Sequence, residues 1–153
     1  MTAVLQIVKN ASVFADGEFS GKIGKGLYIL LGVDAEDTKE DAEALAEKIS
    51  KLRIFLDENG KMNLSVVDVD GEAMVVSNFT LSANYAHGNR PDYLAAAKPP
   101  IAARLYEYFI SLLSSRIKNV ATGKFGADMQ SDMTTDGPVT IVMNSKVLLG
   151  GKK

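Results

Sequence analysis

A proline stands where a strand should run. Asp136-Gly137-Pro138-Val139-Thr140 sets a Gly-Pro step between threonine-flanked, strand-like runs. Proline gives up its ladder donor and fixes φ, so within a sheet it is confined to an edge, a strand start or a bulge. Whatever sheet this chain builds, the step must lie at its margin or interrupt it. An X-Pro bond also takes the cis form at a cost of only about 0.5–1 kcal/mol. The step reads as rigid main chain that can recognise a ligand without offering a reactive side chain. It is read together with Ser77-Asn78-Phe79-Thr80-Leu81, which closes another strand-like run.

The remaining punctuation predicts many short strands and two principal helices. Strands are expected over Ala3–Val8, Ser12–Phe14 and Glu18–Ile23, with Asp16-Gly17 as a hairpin turn. Gly24-Lys25-Gly26 is read as a further hairpin turn, leading into the continuously apolar run Leu27–Val33, a strand buried on both faces. A helix follows from Thr38 to about Leu52, with Asp37 and Glu40 spaced as a capping box and Ala42, Leu45, Ala46, Ile49 and Leu52 forming its apolar stripe.

Arg53–Leu56, Leu64–Val69 and Ala73–Asn78 read as strands. After a loop punctuated by Gly88 and Pro91, a second helix runs from about Pro100 to Ile117, its stripe being Ala102, Leu105, Tyr106, Phe109, Leu112 and Leu113. Two last strands, Ala127–Thr134 and Val139–Met143, flank the Gly-Pro step, and Gly150 to Lys153 are expected to fray. Without βαβ alternation, repeat or long linker, the pattern predicts one α+β domain over residues 1–153, with a mainly antiparallel sheet or open barrel.

Composition narrows the chemistry. With no cysteine among 153 residues, disulfides, thiolate metal sites and cysteine nucleophiles are excluded. No apolar run is long enough to span a bilayer, and the residues after Met1 do not resemble a secretory signal, so no membrane partner is expected and the cytoplasm is the default location. A net charge of −2 excludes a general nucleic-acid coat protein but allows a local basic patch, with Lys9, Lys61, Arg90, Lys98, Lys124, Lys152 and Lys153 as candidates.

His87, the single histidine, lies in the glycine- and proline-punctuated loop and reads as a surface residue with no triad around it. Asp34, Asp37, Glu40 and Asp41 cluster at a helix start, where carboxylates suit the dipole, and no dedicated metal site is expected. The glycines of Gly21–Gly26 lie between strands and make no phosphate loop. What remains is hydroxyl and main-chain chemistry. Backbone N–H groups freed around Phe79 and Thr80 can hold a developing oxyanion. Thr80 would need a base to act as nucleophile, and none is evident; the plainer reading is Ser77 and Thr80 finishing a strand.

At these motifs the chain resembles the bacterial-type D-aminoacyl-tRNA deacylases along nearly its whole length. The resemblance rests on an ordered set that includes Gln6, Ala11-Ser12-Val13, Arg53-Ile54-Phe55, Gly60–Leu64, Ser77–Leu81, Arg90-Pro91, Thr122–Phe125, Ala127–Gln130 and Asp136–Thr140. It implies the fold of that family, a homodimer, and hydrolysis of the ester between a D-amino acid and the terminal ribose of tRNA, with mischarged glycyl-tRNA as a further substrate. No metal or cofactor is implied. Ser77, Phe79 and Thr80 would form the catalytic set, Thr80 in a positioning role. Asn78, Phe125, Met129, Gly137, Pro138, Val139 and Thr140 would contact substrate.

By the same resemblance the Gly-Pro step is cis, enters the partner's pocket, and turns its carbonyls toward the amino-acid α-carbon. Two positions depart from the pattern: Asn78 stands where glutamine is common, and Ile7 where arginine often follows the first-strand glutamine. If that arginine braces the Gly-Pro loop elsewhere, this chain braces it otherwise. The competing readings are a non-catalytic tRNA- or DNA-binding dimer of the same fold and an editing enzyme for another mischarged pair.

Overall fold

Asp16 and Gly17 both take positive φ, 49° and 81°, which is the mirror-image turn that matches the twist of paired strands. From this turn a single long hairpin unfolds in both directions. Its first arm, β1, runs unbroken over Thr2–Ala15. Its second arm is split into β2, Glu18–Ile23, and β3, Gly26–Gly32. Ala11 pairs with Ile23 and Val8 with Gly26, so both pieces run antiparallel to the same strand. The expected turn at Gly24–Gly26 is therefore a kink within one arm and not a hairpin. The expected break in β1 is likewise absent: exposed Lys9 and Asn10 mask a continuous strand.

The computed structural model describes residues 1–150, so Lys152 and Lys153 and the fraying expected beyond Gly150 lie outside the described residues. Gly150 itself donates to the Val147 carbonyl at 3.3 Å. The helices follow the expected stripes. In α1, Lys39–Lys51, the residues Ala42, Leu45, Ala46 and Ile49 are buried. In α2, Pro99–Ser114, they are Ala102, Leu105, Tyr106, Phe109 and Leu113. The cap of α1 falls one residue later than the spacing suggested: Thr38 is the N-cap, and its N–H donates to Asp41 Oδ2 at 2.8 Å.

Between the helices lie β4, Phe55–Leu56, and β5, Met62–Leu64, paired only with each other. The strand expected over Leu64–Val69 is mostly turn instead, because Ser65 and Asp68 cap each other's main chain: Ser65 N–H donates to Asp68 Oδ2 at 2.8 Å and Asp68 N–H to Ser65 Oγ at 3.1 Å. Next comes β6, Glu72–Ser77, then α2, then a strand that periodicity did not reveal, β7, Val120–Thr122. The chain closes with β8, Met129–Asn144, and a short helix α3, Ser145–Leu148, which was also not foreseen.

The sheet order is β2-β1-β3-β6-β7, with β8 along the other side of β1. The ladders of β1 are antiparallel, as expected, whereas β3–β6 and β6–β7 are parallel. The sheet curls until β7 meets β2, where Ser20 Oγ donates to the Thr122 carbonyl at 2.8 Å. Alternation along β3 shows what this encloses. Leu27, Ile29 and Leu31 join the core beneath the helices, while Tyr28 joins a second cluster with Val8, Val13, Met74 and Val76 inside the curl.

A buried polar knot ties α1 to α3. Ser145 Oγ donates to Asp41 Oδ1 at 2.6 Å, Lys146 Nζ lies 2.8 Å from the same oxygen, and the Met1 ammonium lies 2.5 Å from Asp37. Burial pushes the Asp41 carboxyl up, but the hydrogen bonds from Lys146, Ser145 and Thr38 outweigh it and hold the group below the ordinary carboxylate range. A depressed folded-state value means that the stabilisation is complete above the unfolded value of about 3.9 and is lost as pH falls through the folded one. Asp41→Asn is thus expected to cost on the order of 2 kcal/mol near neutrality, the worth of hydrogen bonds to a charged group. Denaturant melts of both proteins should show the gap closing below about pH 4.

Candidate functional site

Where β6 ends, the chain turns sharply. Asn78 N–H donates to the Leu31 carbonyl at 2.8 Å, and Phe79–Ser82 then form one turn of 3₁₀ helix. Gly32 is what lets this turn settle on β3: a Cβ there would lie 2.9 Å from Leu81 Cβ and 3.1 Å from the Asn78 carbonyl oxygen. Asn78 Oδ1 accepts from the Thr80 N–H at 3.3 Å and from the Thr80 hydroxyl. The Thr80 proton is therefore committed to Asn78. Among the described residues the Phe79 N–H has no acceptor.

This strand end borders a cavity of about 740 Å³, a size that suits a small ligand or the end of a larger one. Its floor is β3 and β6, represented by Leu30, Val76 and Ser77; its sides are Phe79 and Tyr93, the start of α2, and the segment Phe125–Ser131. The Phe79 and Tyr93 rings meet edge to face at 5.2 Å. Tyr106 anchors α2 to the floor by donating to the Val75 carbonyl at 2.9 Å, and Phe125 leans on its ring at 5.8 Å.

The lining carries no carboxylate and no imidazole; its cation is Lys98. Tyr28 and Ser131 share a 2.6 Å hydrogen bond inside it. Burial pushes the Tyr28 phenol up, the Ser131 bond opposing, and burial likewise raises Tyr106, so both are neutral hydroxyls near pH 7.

Five of the residues singled out from the sequence meet here: Ser77, Asn78, Phe79, Phe125 and Met129 all line the cavity. Thr80 sits just beyond, exposed on the 3₁₀ turn. Gly137, Pro138, Val139 and Thr140 are absent from this lining. They lie on β8, where Gln6 pairs with Thr140 and Val8 with Thr135. Ile7 alone therefore faces Asp136 to Val139, and the Gly-Pro step is pushed out of the ladder as a bulge. The Gly137–Pro138 bond is cis, with Gly137 at φ 120°.

Ile7 is buried in the core against which Val139 packs, and Gln6 Nε2 donates to Thr140 Oγ1 at 3.3 Å, so apolar packing and a glutamine flank the bulge in place of an arginine. Lys98, a candidate for the basic patch, also lines the cavity, as do Tyr28, Tyr93, Tyr106 and Ser131, which the sequence did not single out as site residues. Tyr28 and Tyr106 carry the periodicity of core positions, and only their hydroxyls hinted at a second duty.

A small α+β chain whose nearly closed sheet presents main-chain donors, hydroxyls and a lysine around a pocket has the form of a ligand-processing domain. The particular family follows from comparison with known proteins: the chain belongs to the D-Tyr-tRNA(Tyr) deacylase family, whose model matches residues 4–144. A D-aminoacyl-tRNA deacylase of Thermosipho africanus is 52% identical over 95% of this chain and 98% of its own length. One from Chloroflexus aurantiacus is 55% identical over 97% and 92%.

Among solved structures, a c-Myc DNA unwinding element binding protein superposes with a TM-score of 0.88 at 41% identity, covering 94% of this chain and 98% of its own. A chain described as a probable eukaryotic D-amino acid tRNA deacylase shares the fold alone, with a TM-score of 0.79 at 14% identity, covering 94% and 100%. No helix among the described residues is long and apolar enough to cross a membrane.

Proposed function

We propose that this protein hydrolyses the ester joining a D-amino acid to the terminal ribose of tRNA. The observation that carries the reading is the strand end Ser77–Thr80: its Phe79 N–H has no acceptor among the described residues, and it borders a pocket whose lining lacks carboxylate and imidazole. The ester carbonyl oxygen is held by the main-chain N–H of Phe79, which stabilises the charge that develops on it, while the Thr80 N–H stays with Asn78. Thr80, its hydroxyl given to Asn78, positions this turn and does not attack. Water adds to the carbonyl carbon, the bond to the ribose oxygen breaks, and the leaving oxygen takes a proton passed on by the neighbouring ribose hydroxyl. Ser77, Asn78, Phe125 and Met129 enclose the acyl group.

Chirality is filtered by a second copy of the chain. Gly137 and Pro138 are exposed and stand outside their own cavity, so they are free to enter that of a homodimer partner. Their carbonyls accept from the substrate ammonium and leave space at the α-carbon for hydrogen but not for an L side chain, while Val139 and Thr140 hold the step in place. Recognition by exclusion of the abundant substrate needs no reactive side chain. Glycyl-tRNA passes the same filter.

Release of amino acid from D-tyrosyl-, glycyl- and L-tyrosyl-tRNA tests this. D-Tyrosyl- and glycyl-tRNA should be cleaved roughly 100-fold or more faster than L-tyrosyl-tRNA, equivalent to about 2.7 kcal/mol of steric exclusion. Equal, background rates on all of them would sink the reading. A second reading, nucleic-acid binding without turnover, is favoured by the likeness to the DNA unwinding element binding protein. Salt-dependent binding of duplex DNA with no release from any aminoacyl-tRNA is its signature.

A further inference from the structure

The loop between Asn84 and Asp92 belongs to neither core and to no wall of the cavity, yet it is carefully tied. Asn84 N–H donates to the Asp92 carbonyl at 2.9 Å and Asp92 N–H to the Asn84 carbonyl at 3.0 Å. Asn84 Nδ2 donates to Asp92 Oδ2 at 3.1 Å, Ala86 N–H to Asn84 Oδ1 at 3.1 Å, and Leu94 N–H to Asp92 Oδ1 at 3.2 Å. A loop with its root pinned in this way nevertheless holds the ring of Tyr85 in solvent, 80% exposed. Burial gives no reason for an aromatic residue there.

Charge supplies the second observation. Between Tyr85 and Pro91 the loop carries His87 and Arg90 and no acid. Asp92, the nearest carboxylate in sequence, is already bonded to Asn84 and Leu94. Among the described residues Arg90 makes no salt bridge, nor do Lys98 on the cavity wall and Lys124 beside Phe125. Of these, Lys98 lines the cavity and Lys124 adjoins its lining residue Phe125.

Position supplies the third. Asp92 is followed at once by Tyr93, whose ring meets Phe79 on the cavity wall. Tyr85 directly follows Asn84 of the bridge, and Arg90 stands three residues before the wall residue Tyr93, at most about 10–11 Å along the chain. That is the span of one or two nucleotides.

We propose that the Tyr85–Arg90 loop seats the unpaired 3′ end of the RNA, with the Tyr85 ring stacked on a base one or two nucleotides inboard of the ester and Arg90 on a phosphate. An exposed aromatic face and an unpaired guanidinium on one short loop supply the chemistry that holds single-stranded nucleic acid. A twofold contact between copies would instead set this cationic rim against itself. The inference rests on the reading of the substrate as an aminoacyl-tRNA.

The test compares full D-tyrosyl-tRNA with D-tyrosyl-adenosine, which carries the ester but no inboard nucleotide. In Tyr85→Ala the ratio of kcat/KM for the tRNA to that for the nucleoside ester should fall about tenfold, through KM, and Tyr85→Trp should restore it. Arg90→Gln should reduce the dependence of log KM on log salt by about one. An unchanged ratio in Tyr85→Ala overturns the proposal. So does an equal loss on both substrates, or dissociation of a dimer that the unaltered protein forms, which would make the loop a protein contact. Should the unaltered protein cleave no D-aminoacyl-tRNA, the functional reading falls, and filter binding of uncharged tRNA decides for the loop: tenfold weaker binding by Tyr85→Ala supports it and equal binding refutes it.

Discussion

Replacing Gly26 by alanine is expected to destabilise this protein by at least about 3 kcal/mol, the upper range for overpacking a filled site. Gly26 opens β3 and faces Glu72 in the first rung of the β3–β6 ladder. A Cβ there would lie 1.8 Å from the Glu72 carbonyl oxygen, 2.6 Å from its carbon and 2.7 Å from its nitrogen. These are main-chain atoms and cannot swing aside, so the two strands must part. The same seam carries Leu30, Leu31, Val76 and Ser77 to the cavity, and activity should fall with stability.

For a chain of 153 residues the loss amounts to roughly 6–12 °C in Tm. Gly17→Ala is the control, since nothing lies within 4 Å of its Cβ and only the φ of +81° opposes it; its cost is about 1–2 kcal/mol. Denaturant midpoints of the two variants measure the difference. A Gly26→Ala protein as stable as the unaltered one would show that the strands separate without penalty.

The second large effect is on selectivity. Gly137 takes φ +120°, and a Cβ there would meet Val139 N at 2.7 Å and Val139 Cγ2 at 2.8 Å. Gly137→Ala therefore displaces the carbonyls on either side of Pro138. A shift near 1 Å in a positioning group costs about 100-fold. The ratio of D- to L-tyrosyl-tRNA hydrolysis should drop by about that factor, and stability should fall by at least the roughly 1–2 kcal/mol that the positive φ alone costs an alanine. A preserved ratio would place chiral exclusion in the pocket's own walls and remove it from the bulge.

Much of this was legible in the sequence, for reasons that differ between elements. The helices announced themselves because their stripes repeat at the helical period and are buried as a set. The Asp16-Gly17 turn was legible because few residue pairs accept two positive φ values. β7 was not, since three residues, Val120–Thr122, carry too little periodicity to stand out. The parallel pairing of β3 with β6 was hidden because it is decided by what packs over the strands. At the site, the residues alone read Ser77 and Thr80 as an ordinary strand end, and it was the resemblance to the deacylases that singled out Ser77–Thr80. Tyr28 and Tyr106 could not be found, because each also fills a core position. The capping signal misled by one residue, since Asp37 serves the Met1 ammonium while Thr38 caps the helix.

β1 has a consequence for how this molecule can change over time. Its odd-numbered residues Ala3, Leu5 and Ile7 point to the helices, yet Ala11 and Val13 join Val8 inside the curl. The parity changes across Lys9 and Asn10, the two exposed residues of the strand. Side chains there can be exchanged freely, but their number cannot. Losing one would turn Ala11 to Ala15 inside out, sending Val13 into water and Ser12 and Phe14 inward. This surface segment should therefore tolerate almost any substitution and no insertion or deletion, so that variation along it is free in chemistry and locked in length.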